Sequence, residues 1–319
     1  MSARIVLLVT SPRLPAGLLT AEAWDTVRSG PVFAAAESPQ AEALRAAGVP
    51  VTVLDIDAQG LLDAIGAAPL AVWLAGPHGD QPFARQLGLR LAREPGLAEL
   101  ELMYGSWDPP GARLLDAVTV MDRLASPGGD PWKRAQTHRT LAPYLLEESY
   151  EAYDAIERED YHELREELGD VLLQVVLHAR LAEDLPDGRA WNIDDVAGIL
   201  VEKMVRRNPH VFAGETVEDL EEITANWERI KREEKARESV LDGVALSQPA
   251  LALAAKVLQR AARGGVDVPL PAGDELGAGL LRLVAEARAA GHDPEAELRA
   301  AVLTYAEAVR AAEKVGPPE

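Results

Sequence analysis

Two acidic runs carry the chemistry of this chain: Leu145-Leu146-Glu147-Glu148-Ser149-Tyr150-Glu151, then Glu167-Leu168-Gly169-Asp170. On a helix turning 100° per residue, Leu141, Leu145, Ala152 and Ile156 form one apolar stripe. Glu148 falls inside that stripe, Glu151 at its margin and Glu147 further out. The second run belongs to a segment, Tyr161 to Ala182, that is apolar almost all round from Val171 to Leu181, yet Glu163, Glu167, Asp170 and Gln174 share one sector of its wheel. An isolated ionised carboxylate is prohibitively expensive to bury, so acidic groups in such seams need protons, basic residues or a bound metal. Hard oxygen donors favour magnesium or manganese. The competing reading is a solvated Glu-rich face. Against it stand Glu148 between Leu145 and Ala152, and the apolar run that follows Asp170.

The order Glu-Glu-x-x-Glu, spacer, Glu-x-x-Asp resembles the MazG group of all-α nucleoside triphosphate pyrophosphohydrolases. Upstream, Asp130-Pro131-Trp132-Lys133-Arg134-Ala135-Gln136-Thr137-His138 is similar to that family's Cys-Pro-Trp-Asp-x-x-Gln-Thr-His segment, with Asp130 in place of Cys and Lys133 in place of Asp. Downstream, the stretch from Lys203 to Phe212 and Trp227-Glu228-Arg229-Ile230-Lys231 are similar to its two basic segments. The resemblance runs from Leu114 to Arg263. It implies that Glu148, Glu151, Glu167 and Asp170 bind magnesium, that Glu147 assists with a second ion or the attacking water, and that Lys203, Arg207 and Lys231 face the phosphates. The reaction it implies is magnesium-dependent hydrolysis of a nucleoside triphosphate to monophosphate and pyrophosphate, a housecleaning of the nucleotide pool.

A triphosphate brings about four negative charges toward an acidic cluster, so bridging metal and a cationic rim are physically required. Lys203 and Arg207, and likewise Trp227 and Lys231, are spaced to share a helix face. Ordinary salt bridging with the abundant Glu is the alternative for each basic residue. Trp132, Gln136 and Trp227 are the substrate-facing candidates. Trp132 in its Pro-Gly loop is either a stacking surface or a loop anchor, and Trp227 reads as core before it reads as a platform. His138 and His210 lie beside helix ends, where structural hydrogen bonds compete with ligation. A covalent nucleophile has little support: the chain has no cysteine and no GxSxG element.

The 319 residues suffice for two domains or one large core, and 48% apolar composition is ordinary for a soluble protein. Absence of cysteine suits a reducing cytoplasm. The apolar run Ile5 to Val9 is too short for a signal core or membrane span. A net charge of −20 disfavours nucleic acid polymers and anionic membrane, while a single nucleotide carried with metal remains compatible. An acidic two-helix site needs walls on both sides, and the related bundles are dimeric, so a homodimer is expected.

The expected architecture is mixed: a small N-terminal α/β domain followed by an all-α MazG-type helical bundle. Strand-like segments at Arg4–Val9, Val32, Val51–Leu54, Leu70–Leu74 and Leu100–Met103 alternate with helices at Ala21–Arg28, Gln40–Ala47 and Gln81–Arg93. The turn formers Gly105 to Gly111 mark a boundary, and helices follow at 112–125, 138–157, 161–182, 193–207, 217–237, 248–263, 275–290 and 294–314. No GxGxxG or Walker sequence is present in the first region. Its segments 17–24 and 71–79 resemble the tetrapyrrole methylase domains fused to some bacterial MazG proteins, but the region is too short for that two-lobed fold, and Ser11-Pro12 stands where a glycine-rich turn belongs. A remnant that neither transfers methyl groups nor binds S-adenosylmethionine is expected. Residues 167–180 also align without gaps to 275–288, with Ala278 in place of Asp170. The domain reading is therefore 1–110 degenerate methylase-like, 111–263 catalytic, and 264–319 a decayed second MazG-like copy, with chance likeness among Ala- and Leu-rich helices as the alternative. The rival to an enzyme is a non-catalytic nucleotide- or partner-binding module derived from one.

Overall fold

The computed structural model describes residues 3–77, 79–94, 96–214, 219–233 and 238–315. The described chain runs β1 (Ala3–Val9), α1 (Ala21–Arg28), β2 (Val32–Ala34), α2 (Pro39–Ala46), β3 (Val51–Val53), α3 (Ala58–Ile65), β4 (Leu70–Leu74), α4 (Gln81–Arg93), β5 (Ala98–Tyr104), α5 (Arg113–Ala125), α6 (Pro131–Arg134), α7 (His138–Glu157), α8 (Tyr161–Glu183), α9 (Ile193–Arg207), α10 (Pro209–Phe212), α11 (Leu220–Glu233), α12 (Ala250–Arg263), α13 (Leu276–Ala289) and α14 (Pro294–Val315). Two compact units are present, Met1–Gly198 and Ile199–Glu319, dividing inside α9. Among the described residues no helix is long and apolar enough to cross a membrane.

The first unit opens with a five-stranded parallel sheet in the order β3-β2-β4-β1-β5. β1 lies inside the sheet and is apolar on both faces, as a parallel strand covered by helices must be. Val6 and Leu8 pack with Ala23 and Val27 of α1 and with Ala41 and Leu44 of α2. Ile5 and Leu7 pack on the other face with Leu61 and Ile65 of α3 and Leu87 and Leu91 of α4. The chain therefore leaves β1 toward one face and β4 toward the other. Helix α3 escaped the periodicity reading because it spans eight residues with Gly60 inside; its signal is Asp57, whose carboxylate accepts from the Gly60 N–H.

Where a boundary was expected, the chain hydrogen-bonds back onto the sheet. The Gly105 N–H donates to the Val9 carbonyl, the Gly105 carbonyl accepts from Thr20, and the Ser106 hydroxyl accepts from the Ser11 N–H. Arg13 then reaches α5, donating through Nε and Nη2 to both oxygens of Asp116 at 2.8 and 2.7 Å. Met121 of α5, Leu141 of α7 and Val176 and Leu177 of α8 form the helical core, with Ile193 of α9 packed against it. Arg180 of α8 closes this core at its rim, its Nε 2.7 Å from Asp122 of α5.

In the second unit α12 packs against α13 and α14. Val284 of α13 is buried, as is Val176, the residue it aligns with in α8. The helix expected at 217–237 is described as α11; positions 217, 218 and 234–237 lie outside the described residues.

Candidate metal centre

The site is built on the hairpin of α7 and α8. Thr137 caps α7 with its hydroxyl on the Thr140 N–H, while the Thr140 hydroxyl accepts from the Thr137 N–H. At the far end Glu159 adopts the left-handed conformation (φ 54°), and its N–H reaches the Ile156 carbonyl while the Asp160 N–H reaches that of Ala155, each at 3.0 Å. Asp160 immediately caps the next helix, its carboxylate accepting from the His162 and Glu163 N–H groups. Those donors hold Asp160 below the usual carboxylate range. A turn this tight folds α8 back along α7 and sets the two acidic runs side by side.

Glu148, Glu151 and Glu167 each offer a ligand oxygen within 4.8 Å of the other two. Glu148 and Glu167 are half-buried. Burial pushes the Glu148 carboxyl up from its ordinary value, and the negative charges of Asp170, Glu151 and Glu147 push it further. Glu167 is raised for the same reasons, first burial, then Glu151 and Asp170. Asp170 stands outside the tightest group of three yet acts on both helices' carboxylates, and Glu147 acts on Glu148. Convergent hard oxygens whose proton affinity is raised by one another form a donor set suited to a divalent cation. The residues fit magnesium or manganese.

Beyond Asp170 the same line of α8 continues into the core. Gln174 is 4% exposed, and its Oε1 has no hydrogen-bond partner among the described residues. One turn further, His178 lies with its Nδ1 2.8 Å from Nδ1 of His138, the rings stacked 4° from parallel, and Trp191 also stacks with His138, ring centroids 6.2 Å apart. Burial, and secondly the neighbouring His138, hold His178 below the usual histidine range. His138 is thus engaged in a structural pair. Its partner His178 was missed in the sequence, although it falls four residues after Gln174 on the same line.

Trp132 is 49% exposed and meets Tyr144 edge-to-face, ring centroids 5.8 Å apart. The Lys133 ammonium lies over the Trp132 ring, 5.6 Å from its centroid. Gln136 braces this corner: its amide donates to the Trp132 carbonyl and its oxygen accepts from the Thr140 hydroxyl. Lys203, Arg207 and Trp227 belong to the second unit. Lys203 is half-buried, and the buried Arg207 lays its guanidinium over Trp227, 5.1 Å from the ring centroid. Lys231 is in α11, and its side chain lies outside the described residues.

A second concavity, about 1040 Å³, opens at the carboxyl ends of β1, β4 and β5, where loops depart to opposite faces of the sheet. None of the four metal candidates lines it. In the loop after β1 the backbone donors are engaged within the loop and its neighbour: Pro12 has no N–H, the Ser11 N–H donates to the Ser106 hydroxyl, and those of Arg13 and Leu14 donate to the Ser11 hydroxyl.

Residues 136–212 match the MazG nucleotide pyrophosphohydrolase domain. The chain is 53% identical over 219 residues to an uncharacterized 26.1 kDa protein of Streptomyces cacaoi, a match covering 68% of this chain and 89% of that protein. It is 49% identical over 208 residues to the nucleoside triphosphate pyrophosphohydrolase of Mycolicibacterium smegmatis, covering 64% of this chain and 60% of that one. It is 34% identical over 224 residues to the nucleoside triphosphate pyrophosphohydrolase/pyrophosphatase MazG of Thermotoga maritima, covering 63% of this chain and 85% of that one. The chain thus spans less than two thirds of the Mycolicibacterium relative and most of the other two.

Proposed function

The chain belongs to the MazG family, and from that premise we propose that it is an enzyme hydrolysing nucleoside triphosphates to nucleoside monophosphate and pyrophosphate, with magnesium as its metal. The observation that carries this reading is the convergence of Glu148, Glu151 and Glu167 from two helices, under the added field of Asp170. Uncompensated, that arrangement is repulsive; a cation makes it favourable. Glu148, Glu151, Glu167 and Asp170 would hold the ion, which when bound neutralises phosphate charge and makes water a better nucleophile.

The remaining work falls to the chain itself. Glu147, exposed beside Glu148, orients the attacking water as an acceptor of its proton. The family resemblance assigns Lys203, Arg207 and Lys231 to the phosphates, and within the second unit the Arg207 guanidinium stacks on Trp227. Trp132, whose exposed ring meets Tyr144 and whose backbone carbonyl accepts from the Gln136 amide, presents a flat apolar surface for the base. Tyr150, Leu146 and Leu168 leave apolar surface exposed on the same hairpin, which supports a homodimer; the cytoplasmic location rests on the absence of cysteine from the sequence. Residues 1–110 remain read as a methylase-like remnant, and 264–319 as a second copy in which Ala278 stands where Asp170 supplies a ligand.

The test is a panel of nucleoside triphosphates incubated with and without magnesium, with pyrophosphate and orthophosphate measured separately. Pyrophosphate released only with metal is expected. Nucleoside diphosphate with orthophosphate would contradict the cleavage position, and tight nucleotide binding without turnover would favour a binding module.

A further inference from the structure

We propose that Gln174 is a positioning residue of the metal centre, its side-chain oxygen accepting a hydrogen bond from water that accompanies the divalent ion. This rests on the reading that Glu148, Glu151, Glu167 and Asp170 hold such an ion.

Two independent observations meet at this residue. Gln174 continues the polar line of α8 one turn past Asp170, about 6 Å along the axis, while its sequence neighbours Leu172, Leu173, Val175 and Val176 are apolar. Gln174 is also almost wholly buried with Oε1 unpaired among the described residues. Buried polar atoms in folded proteins are satisfied as a rule, and an unpaired one on a functional line points to a partner that is not part of the polypeptide.

The chemistry of the unpaired atom narrows that partner. An amide oxygen only accepts. Magnesium keeps several of its waters when bound by carboxylates, and those waters present only donors outward. An acidic acceptor would serve the same waters but would add a further negative charge where Glu148 and Glu167 already repel their neighbours. A neutral amide takes the donor without that penalty. The competing partner is a structural water shared with Nε2 of His178, a buried atom one turn further on that also lacks a hydrogen-bond partner among the described residues.

The two are separated by measuring manganese affinity of the full chain without nucleotide, from the electron paramagnetic resonance signal of free Mn²⁺, for the wild type, Gln174→Met and Gln174→Glu. Methionine keeps the shape and removes the acceptor; affinity should fall roughly tenfold or more, the range known for outer partners of metal ligands. Thermal stability of the metal-free Gln174→Met protein should be unchanged or higher, since an unpaired buried atom is gone. Gln174→Glu should recover affinity. Wild-type affinity in Gln174→Met would overturn this proposal alone and leave the four-carboxylate site standing. Loss of the fold in Gln174→Met would also overturn it, by revealing a partner inside the protein. A wild-type protein that does not bind Mn²⁺ would remove the four-carboxylate reading and this inference together.

Discussion

Glu148 on α7 and Glu167 on α8 bring carboxylate oxygens within 4.8 Å of each other across the helical hairpin, and among the described residues the charged groups that perturb either of them are acidic. The metal-free hairpin therefore carries repulsion that a cation relieves. Two opposite effects follow for Glu148→Gln. Without metal its melting temperature should rise, because one of the mutually repelling charges is gone. With metal the variant should lose the stabilisation that the wild type gains, which is about 2.7 kcal/mol at a hundredfold excess over Kd. Pyrophosphate release should fall by more than about a hundredfold. Melting curves with and without magnesium, beside an activity assay, read all three; full turnover in Glu148→Gln would remove it from the ligand set.

Glu159 holds the turn that sets this hairpin, and it does so with a side chain in the left-handed region. Glycine adopts that conformation without the steric penalty of a Cβ. Glu159→Gly should stabilise the protein by about 1 kcal/mol, measured as a shift in the urea midpoint with unchanged slope, and should leave metal affinity intact. A destabilised variant would mean that the Glu159 side chain contributes more than its backbone costs.

Asp116 links the sheet to the helices of the first unit. Its carboxylate takes both Arg13 donors and one from Arg113, and these hold it below the usual range, Arg13 first. Arg13 is 12% exposed at its side chain, so Asp116→Ala leaves a nearly buried guanidinium with only Asp108. A lower stability than wild type is expected, read as a fall in the denaturant midpoint. A midpoint unchanged from wild type would mean that Arg13 is satisfied by Asp108 alone.

The helical half of this molecule was legible because its signals are periodic and local. Leu141 and Ala152 are buried and Leu145 and Glu148 half-buried, as the wheel of α7 requires, while Ile156 at the end of the same stripe is 53% exposed; Glu167 joins them from α8. The alternation of strands and helices before Gly105 was legible for the same reason. Sheet order was not, since β1 pairs with β4 and β5 through register that no short window contains. Nor was the pairing of His138 with His178, 40 residues apart, or of Arg180 with Asp122, 58 apart, because such partners become neighbours only when helices pack. The Asp57 cap could have announced α3, which differs from the equally short α1 and α2 in carrying a glycine, Gly60, inside the helix.

His178 gives the protein a pH dependence of predictable sign. Burial, and then the proximity of His138, keep its folded pKa below the 6.5 of an unperturbed imidazole. Unfolded chains therefore bind a proton there before folded ones do. Stability from this group is fully present above pH 6.5 and is lost as pH falls from 6.5 toward the folded value. Glu148 and Glu167 pull the other way: their folded values are raised, so acidification toward the ordinary carboxylate range relieves repulsion in the metal-free protein. The histidine contribution is isolated by comparing wild type with His178→Gln, metal-free, in melts at pH 7.5, 6.5 and 5.5. The variant should close the gap with wild type, or overtake it, as pH falls. His138→Asn should weaken the wild-type dependence without abolishing it, because burial is the larger cause. Parallel melting curves for wild type and His178→Gln across that range would mean that His178 titrates alike in both states, and that its burial between α7 and α8 is not maintained in solution.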